Sequence, residues 1–232
     1  MRNSVSKIGL LTFAVTVIFG TMGVAQTVAP PIAEYRNKAQ GMFELRNDGD
    51  VPLAAILEVH GFEVDESGTL KYADLDAHTK VELGSNSFVI PPHQTHYVFY
   101  KATSSSQNAW FTILNTLTKA ASAPNQMRIN FVLPHVVYLY QKQKMKKEDI
   151  SAHMAAASEA GKYVLEIENH SDKLGRVESV TGHGFEKSVE LGGFPIFPGK
   201  KRQVVIDGGS AKSTPNVKVS FEDGFSLDIP IS

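Results

Sequence analysis

The sequence predicts an all-β protein: two tandem immunoglobulin-like β-sandwich domains joined by a short, partly helical linker and preceded by an N-terminal signal peptide. Three observations lead there. Short runs of alternating apolar and polar residues, separated by Gly, Pro, Asn and Asp breaks, fill most of the chain. They fall into two groups with a Lys- and Ala-rich stretch between them. One phrase, an alternating run that ends in Asn, turns through polar residues and starts a second apolar run, occurs in both groups.

The chain has 232 residues, no Cys and a formal net charge of -1. That length permits one or two domains with real cores, and the charge balance argues against nucleic-acid binding. Residues 1–25 read as a cleaved export signal. Arg2 and Lys7 open it, an uncharged run "IGLLTFAVTVIFG" follows, and Gly23 and Ala25 offer small residues before the cut. The apolar run is too short to span a bilayer, so the mature chain is expected to begin near Gln26, in a periplasm, without membrane insertion. Without Cys, its domains must be held by packing alone.

In residues 26–141, the expected first domain, a Pro pair follows a short extended stretch. Strands are then expected over 42–46, 53–59, 70–72, 87–90, 96–100, 110–114 and 128–140. About seven strands in about a hundred residues is sandwich spacing. Residues 142–161 carry Lys142, Lys144, Lys146 and Lys147, then Ala-rich helix formers ended by Gly161. They read as a solvated linker with a short helix over 150–160. Residues 162–232 form a smaller second domain with strands over 163–168, 176–180, 188–191, 202–206, 217–221 and 225–230. The "LGG" and "DGG" stretches read as hairpin turns, since neither leads from a strand into a helix.

The doubled phrase is "FELRNDGDVPLAAILEV" and "LEIENHSDKLGRVESV". A second pair keeps the same order: "FVIPPHQTHYVFY" and "FPIFPGKKRQVVI", each Phe-x-Ile, a Pro four residues after the Phe, a polar turn and an alternating strand. Two elements recurring in order indicate a repeat of whole domains.

The tools of catalysis are missing from this pattern. No Ser lies in a Gly-x-Ser-x-Gly elbow, there is no Cys nucleophile, and the acids fall in turns or alternate along strands. His93 and His96 are the closest His pair, but they sit beside Pro91 and Pro92 in a turn and lack further ligands at zinc spacing. No enzyme activity, cofactor or metal is expected.

Two tandem sandwiches, an export signal and a short link resemble the PapD-type periplasmic chaperones of pilus assembly. "FELRNDGDVPLAAILEV" is similar to that family's second strand, Asn turn and third strand. "SNSFVIPPHQTHYVFY" and "NAWFTILNTL" are similar to its later strands, and "MRINFVLPHVVYLYQ" falls where its last first-domain strand lies. In the second domain Asn169-His170-Ser171 stands for the family's Asn-Pro-Thr/Ser. The resemblance implies a non-enzymatic chaperone that caps pilin-like subunits by lending them a β-strand and delivers them to an outer-membrane usher. A donor strand must alternate strictly and offer one apolar set. Met127, Ile129, Phe131 and Leu133 do so, and are either the donor side chains or residues facing the chaperone's own core.

The family clamps its client's terminal carboxylate with an Arg and a Lys. Those positions fall near Pro31 or Ile32 and on Val136 or Val137, all apolar here, which leaves Arg36 and Lys38 as substitutes. The alternative from another class is a secreted structural or adhesive protein with two sandwiches.

Overall fold

The computed structural model describes residues 26–36, 38–119 and 130–231. The export signal lies outside the described residues.

The first sandwich has two sheets. One is ordered β1 (Thr27–Ala29), β3 (Lys38–Arg46), β8 (Thr95–Ser104), β6 (Thr79–Leu83). The other runs β2 (Ile32–Arg36), β10 (Asn130–Tyr140), β9 (Ala109–Lys119), β4 (Leu53–Val64), β5 (Leu70–Ala73), with β7 (Ser87–Ile90) also paired to β4. Alternation explains the layers: Phe43 and Leu45 of β3, Val98 and Tyr100 of β8, Phe111, Ile113 and Leu117 of β9, and Val137 and Leu139 of β10 all turn inward and are buried. The chain changes sheets early. β1 pairs antiparallel with β3, the chain crosses at Pro30 and Pro31, and β2 pairs in parallel with the second half of β10.

The second sandwich sets β11 (Ile150–Ala156), β12 (Lys162–Asn169) and β15 (Lys201–Asp207) against β14 (Val189–Ile196), β13 (Gly175–Phe185), β16 (Ala211–Phe221) and β17 (Ser226–Pro230). Its core gathers Met154, Leu165, Ile167, Val177, Val180, Ile196, Val217 and Val219.

Two readings of the sequence need correction. The expected helix over 150–160 is the strand β11, and the helical part of the connection is a 3-10 helix, Lys147–Asp149. Ala-rich composition favours a helix, but Ile150 and Met154 fit the inward face of a strand paired residue by residue with β12, and that packing prevails. "LGG" lies within β14, not in a turn. Gly193 permits close passage of β13, since a Cβ there would meet the Val177 carbonyl at 2.5 Å. Two further elements, β6 and the split β1–β2, go beyond the expected strands.

The doubled phrase is a doubled hydrogen-bond device. Asn47 is fully buried; its Nδ2 donates to the carbonyls of Val51 (2.9 Å), Ile90 (3.1 Å) and Pro91 (3.1 Å), while its Oδ1 accepts from Gly49 N (3.0 Å). Asn169, equally buried, donates to the carbonyls of Lys173 (2.7 Å) and Phe197 (3.2 Å) and accepts from Ser171 N (3.0 Å). Even the backbone bonds correspond: Asn47 N to Gln94 O and Asn169 N to Lys200 O. His93 and Gly199, the residues before those acceptors, both take positive φ, 56° and 62°. Each Asn thus locks the turn after one strand to the Phe-x-Ile turn of another, satisfying carbonyls in and beside both turns.

Replacing Asn47 by Ala strands these carbonyls and is expected to cost about 2–4 kcal/mol of stability in urea unfolding. His93→Gly, which adopts at that position the residue of the second domain, is expected to be neutral or to stabilise by up to about 1 kcal/mol. An unchanged unfolding midpoint in Asn47→Ala would refute the role given to the clamp.

Candidate functional site: the open edge of β10

The last strand of the first sandwich is covered unevenly. Against β9, β10 is in continuous register from Asn130–Thr118 to Leu139–Ala109. On its other edge β2 pairs only with Val136 to Tyr140, beginning where Val136 N donates to Pro31 O at 2.8 Å. Among the described residues, no strand pairs the outer edge of Asn130 to His135.

Backbone geometry says which groups are bare. Along a strand the N–H and C=O of one residue share an edge, and neighbours alternate. Val136 points its N–H at β2, so Asn130, Val132 and Pro134 face the same outer side. The odd residues face β9: Leu133 O accepts from Asn115 Nδ2 (2.8 Å) and His135 O from Thr112 Oγ1 (3.4 Å). Pro134 is tolerated because its missing N–H would have pointed to the open edge. That edge therefore offers the amides of Asn130 and Val132 and the carbonyls of all three.

Side chains alternate across the other axis. Leu133, His135, Val137 and Leu139 turn toward the first core, and Phe131 continues that face past the rim, where it is 38% exposed. On the opposite face Val132 is exposed, and Val136, Tyr138 and Tyr140 turn toward the second sandwich. Of the residues that alternate in sequence, Phe131 thus projects from the end of the sandwich and Leu133 is half-buried against the core. Met127 and Ile129 lie outside the described residues.

A shared cluster holds the two sandwiches together beside this strand. Phe62, Tyr138 and Tyr140 pack with Leu174 and Phe197 of the second sandwich. Phe197 meets Phe62, Trp110 and Tyr138 with ring centroids 4.9–6.4 Å apart. Buried Gln141 grips Leu174 at both backbone groups, at 3.0 Å each. Arg176 sits between Glu34 (2.8 Å) and Glu222 (3.5 Å). Burial, with Glu34 close by, holds the Glu222 carboxyl above the usual carboxylate range, and burial pushes the Tyr138 phenol up to about 12. The β4–β5 turn completes the join, with Glu66 O accepting from Gln203 N at 2.7 Å on the outer edge of β15.

Both cations singled out in sequence are placed. Arg36 reaches the second sandwich: Nη2 lies 3.0 Å from Asp223 Oδ1, Nη1 donates to Gln141 O at 3.3 Å, and the guanidinium stands 5.8 Å from the centre of the Tyr140 ring. Lys38 opens β3 opposite Thr103, exposed on the other sheet. Ile32 and Val136 are direct partners in the β2–β10 ladder, and Val137, one residue on, is buried in the first core. Pro31, Ile32, Val136 and Val137, the positions considered for the clamp, are thus all apolar, and two of them stand side by side.

His93 pairs with Asp50 at 3.0 Å, His96 stacks on Phe88 at 3.7 Å between centroids, and among the described residues no group of three or more potential ligands could hold a metal. The sequence reading missed His135, Tyr138 and Phe197. Aromatics clustered in "VVYLYQ" and "FPIFP" were the available signal, but nothing local says that they meet.

No family model and no curated protein matches the chain. Solved structures do. The class 5 fimbriae chaperone CfaA superposes with a TM-score of 0.54 at 10% identity, over 90% of this chain and 99% of that one. CsuC of Acinetobacter baumannii, solved with the tip subunit CsuE, gives 0.53 at 12% identity over 90% and 99%. The SafB chaperone of Salmonella enterica, solved with the SafA pilin, gives 0.53 at 11% identity over 91% and 97%.

Phe197→Ala empties the aromatic cluster and is expected to remove about 3–5 kcal/mol of coupling and packing. Calorimetry should then resolve two separate transitions; a single transition at the wild-type temperature would show that the cluster does not join the domains.

Proposed function

We propose that the chain, which has the two-sandwich fold of the periplasmic pilus chaperones over nearly their whole length, works as one: a non-enzymatic, cofactor-free periplasmic chaperone that caps pilin-like subunits by donating a strand and hands them to an outer-membrane usher.

The observation that carries this reading is the outer edge of β10, which no strand pairs among the described residues, with the inward apolar face running on past the rim at Phe131. A subunit missing its last strand has an unpaired edge and an open core, and such surfaces aggregate. A lent strand pairs the edge through Asn130 and Val132, and its apolar residues fill the groove. Met127, Ile129 and Phe131 are the proposed donor side chains, with Leu133 at the limit where the face enters the chaperone's own core. Arg36 and Lys38 stay the candidate substitutes for the carboxylate clamp: Arg36 would have to share its guanidinium with Asp223 at the joint between domains, while Lys38 is exposed on the other sheet.

The test is capture from the native periplasm. Tagged mature chain is expected to carry a stoichiometric β-rich subunit, identified by mass spectrometry. Ile129→Asp is expected to lose it by at least tenfold while melting like wild type, because a charge cannot enter an apolar groove. Val132→Pro deletes one outward amide without touching the β9 ladder and is expected to weaken capture to a similar degree. A chain that comes out alone from cells assembling surface fibres would favour the adhesive reading. A collapsed Ile129→Asp would place that residue in the chaperone's own core.

A further inference from the structure

One buried titratable group plays no part in strand donation as described. His135 is fully buried at the point where the open half of β10 meets the covered half. Its Nδ1 lies 2.7 Å from the carbonyl of Pro30, in the crossing between β1 and β2. A carbonyl only accepts, so Nδ1 carries the proton and Nε2 is bare in the neutral ring. Nε2 accepts from Tyr100 Oη at 3.1 Å, and Tyr100 Oη in turn accepts from Tyr35 Oη at 2.9 Å. One chain of hydrogen bonds therefore joins β2, β8, β10 and the crossing, and it runs in this direction only when the imidazole is neutral.

The surroundings are built for that state. Phe43 stacks on the ring with centroids 4.4 Å apart, and Ile113 is its partner on β9. Gly41 leaves room for the Tyr35 hydroxyl, which a Cβ there would overlap. The groups placed against the ring are Phe43 from β3, Tyr100 from β8 with Tyr35 of β2 bonded beyond it, Ile113 opposite on β9, and the Pro30 carbonyl. None is charged near neutral pH, and burial pushes the Tyr100 phenol further upward. A second proton on the ring would reverse the Tyr100 bond, leave the Tyr35 hydroxyl to find another acceptor, and place a cation among apolar walls.

We propose that His135 is an acid-operated latch: a charged ring is costly in its apolar pocket, so acid favours a state in which the ring reaches water and the Pro30–Pro31 crossing and β2 come away from β10, which lengthens and loosens the open edge. Burial holds the imidazole pKa below its ordinary value and outweighs the Pro30 carbonyl, whose bond to Nδ1–H favours the charged ring. The opened state, with its ring in water, takes the proton near pH ~6.5, so acid favours it increasingly below that. The opening is a property of the free protein. Its consequence for a client, a weaker grip in acid, rests on the strand-donation reading.

The experiment follows the Val136 amide, which donates to Pro31 O, by hydrogen exchange on the whole mature chain at about pH 7.5 and about pH 5, corrected for intrinsic rate. Wild type is expected to lose at least tenfold protection in acid at Val136, Tyr138 and Tyr140, while core amides of the second sandwich keep theirs. Imidazole nitrogen resonances should report His135 protonated over the same range. His135→Gln, which can donate to Pro30 and accept from Tyr100 without titrating, is expected to abolish the pH response. If that variant does not fold, the wild-type imidazole and amide titrations decide. An imidazole that stays neutral with unchanged protection overturns the latch, as does an equal loss in His135→Gln. Captured subunit that remains bound in acid while β2 opens would overturn only the link to the client.

Discussion

The bond from the Val136 amide to the Pro31 carbonyl marks where this molecule stops closing itself. Upstream of it the first strand belongs to one sheet, downstream to the other, and the crossing is too short to cover both halves of β10. A sandwich whose edge strands were fully paired would have nothing to offer another chain. Here the division leaves the outer edge of one stretch, Asn130 to Pro134, with two free-facing amides and three carbonyls and no partner strand among the described residues. The open edge, the exposed Phe131 and the position of His135 all follow from that division.

An open edge is useful only if the rest of the fold does not collapse onto it. Two devices hold the frame. Within each sandwich a buried Asn ties two distant turns together, which fixes the strands on either side without Cys or metal. Between the sandwiches, Phe197 inserts among Phe62, Trp110 and Tyr138 while Gln141 and Arg176 satisfy polar groups around it. The cleft-facing side of β10 is thereby committed to the second sandwich from Val136 onward. The side chains left to face outward are those before it.

Most strands were legible because a half-buried strand must alternate, and "FELRN" or "LEIEN" can alternate in only one way with its apolar residues inside. The repeat was legible for a similar reason: the Asn clamp needs Asn, a polar turn and a Phe-x-Ile strand in fixed order, so the device leaves its own spelling. β11 was misread because "ISAHMAAASEAG" is locally a good helix, and only the row of partners on β12 makes it a strand. β6, "TKVEL", has too few apolar residues to announce itself; it is an edge strand held by β8. For the candidate site, the alternation of Phe131 and Leu133 could be read, but not which of them stands outside the core.

The sequence alone determined the class of fold and the doubling of the domain, because each depends on residue types at short spacing. Tertiary structure decided where the backbone finds no partner among the described residues, that Arg36 serves the joint between domains, that Ile32 and Val136 stand side by side, and that a histidine lies beneath the Pro30–Pro31 crossing. Those are relations between residues about a hundred positions apart. No local pattern encodes them, since the same alternating strand is a core element or an open edge according to which neighbour the chain brings beside it.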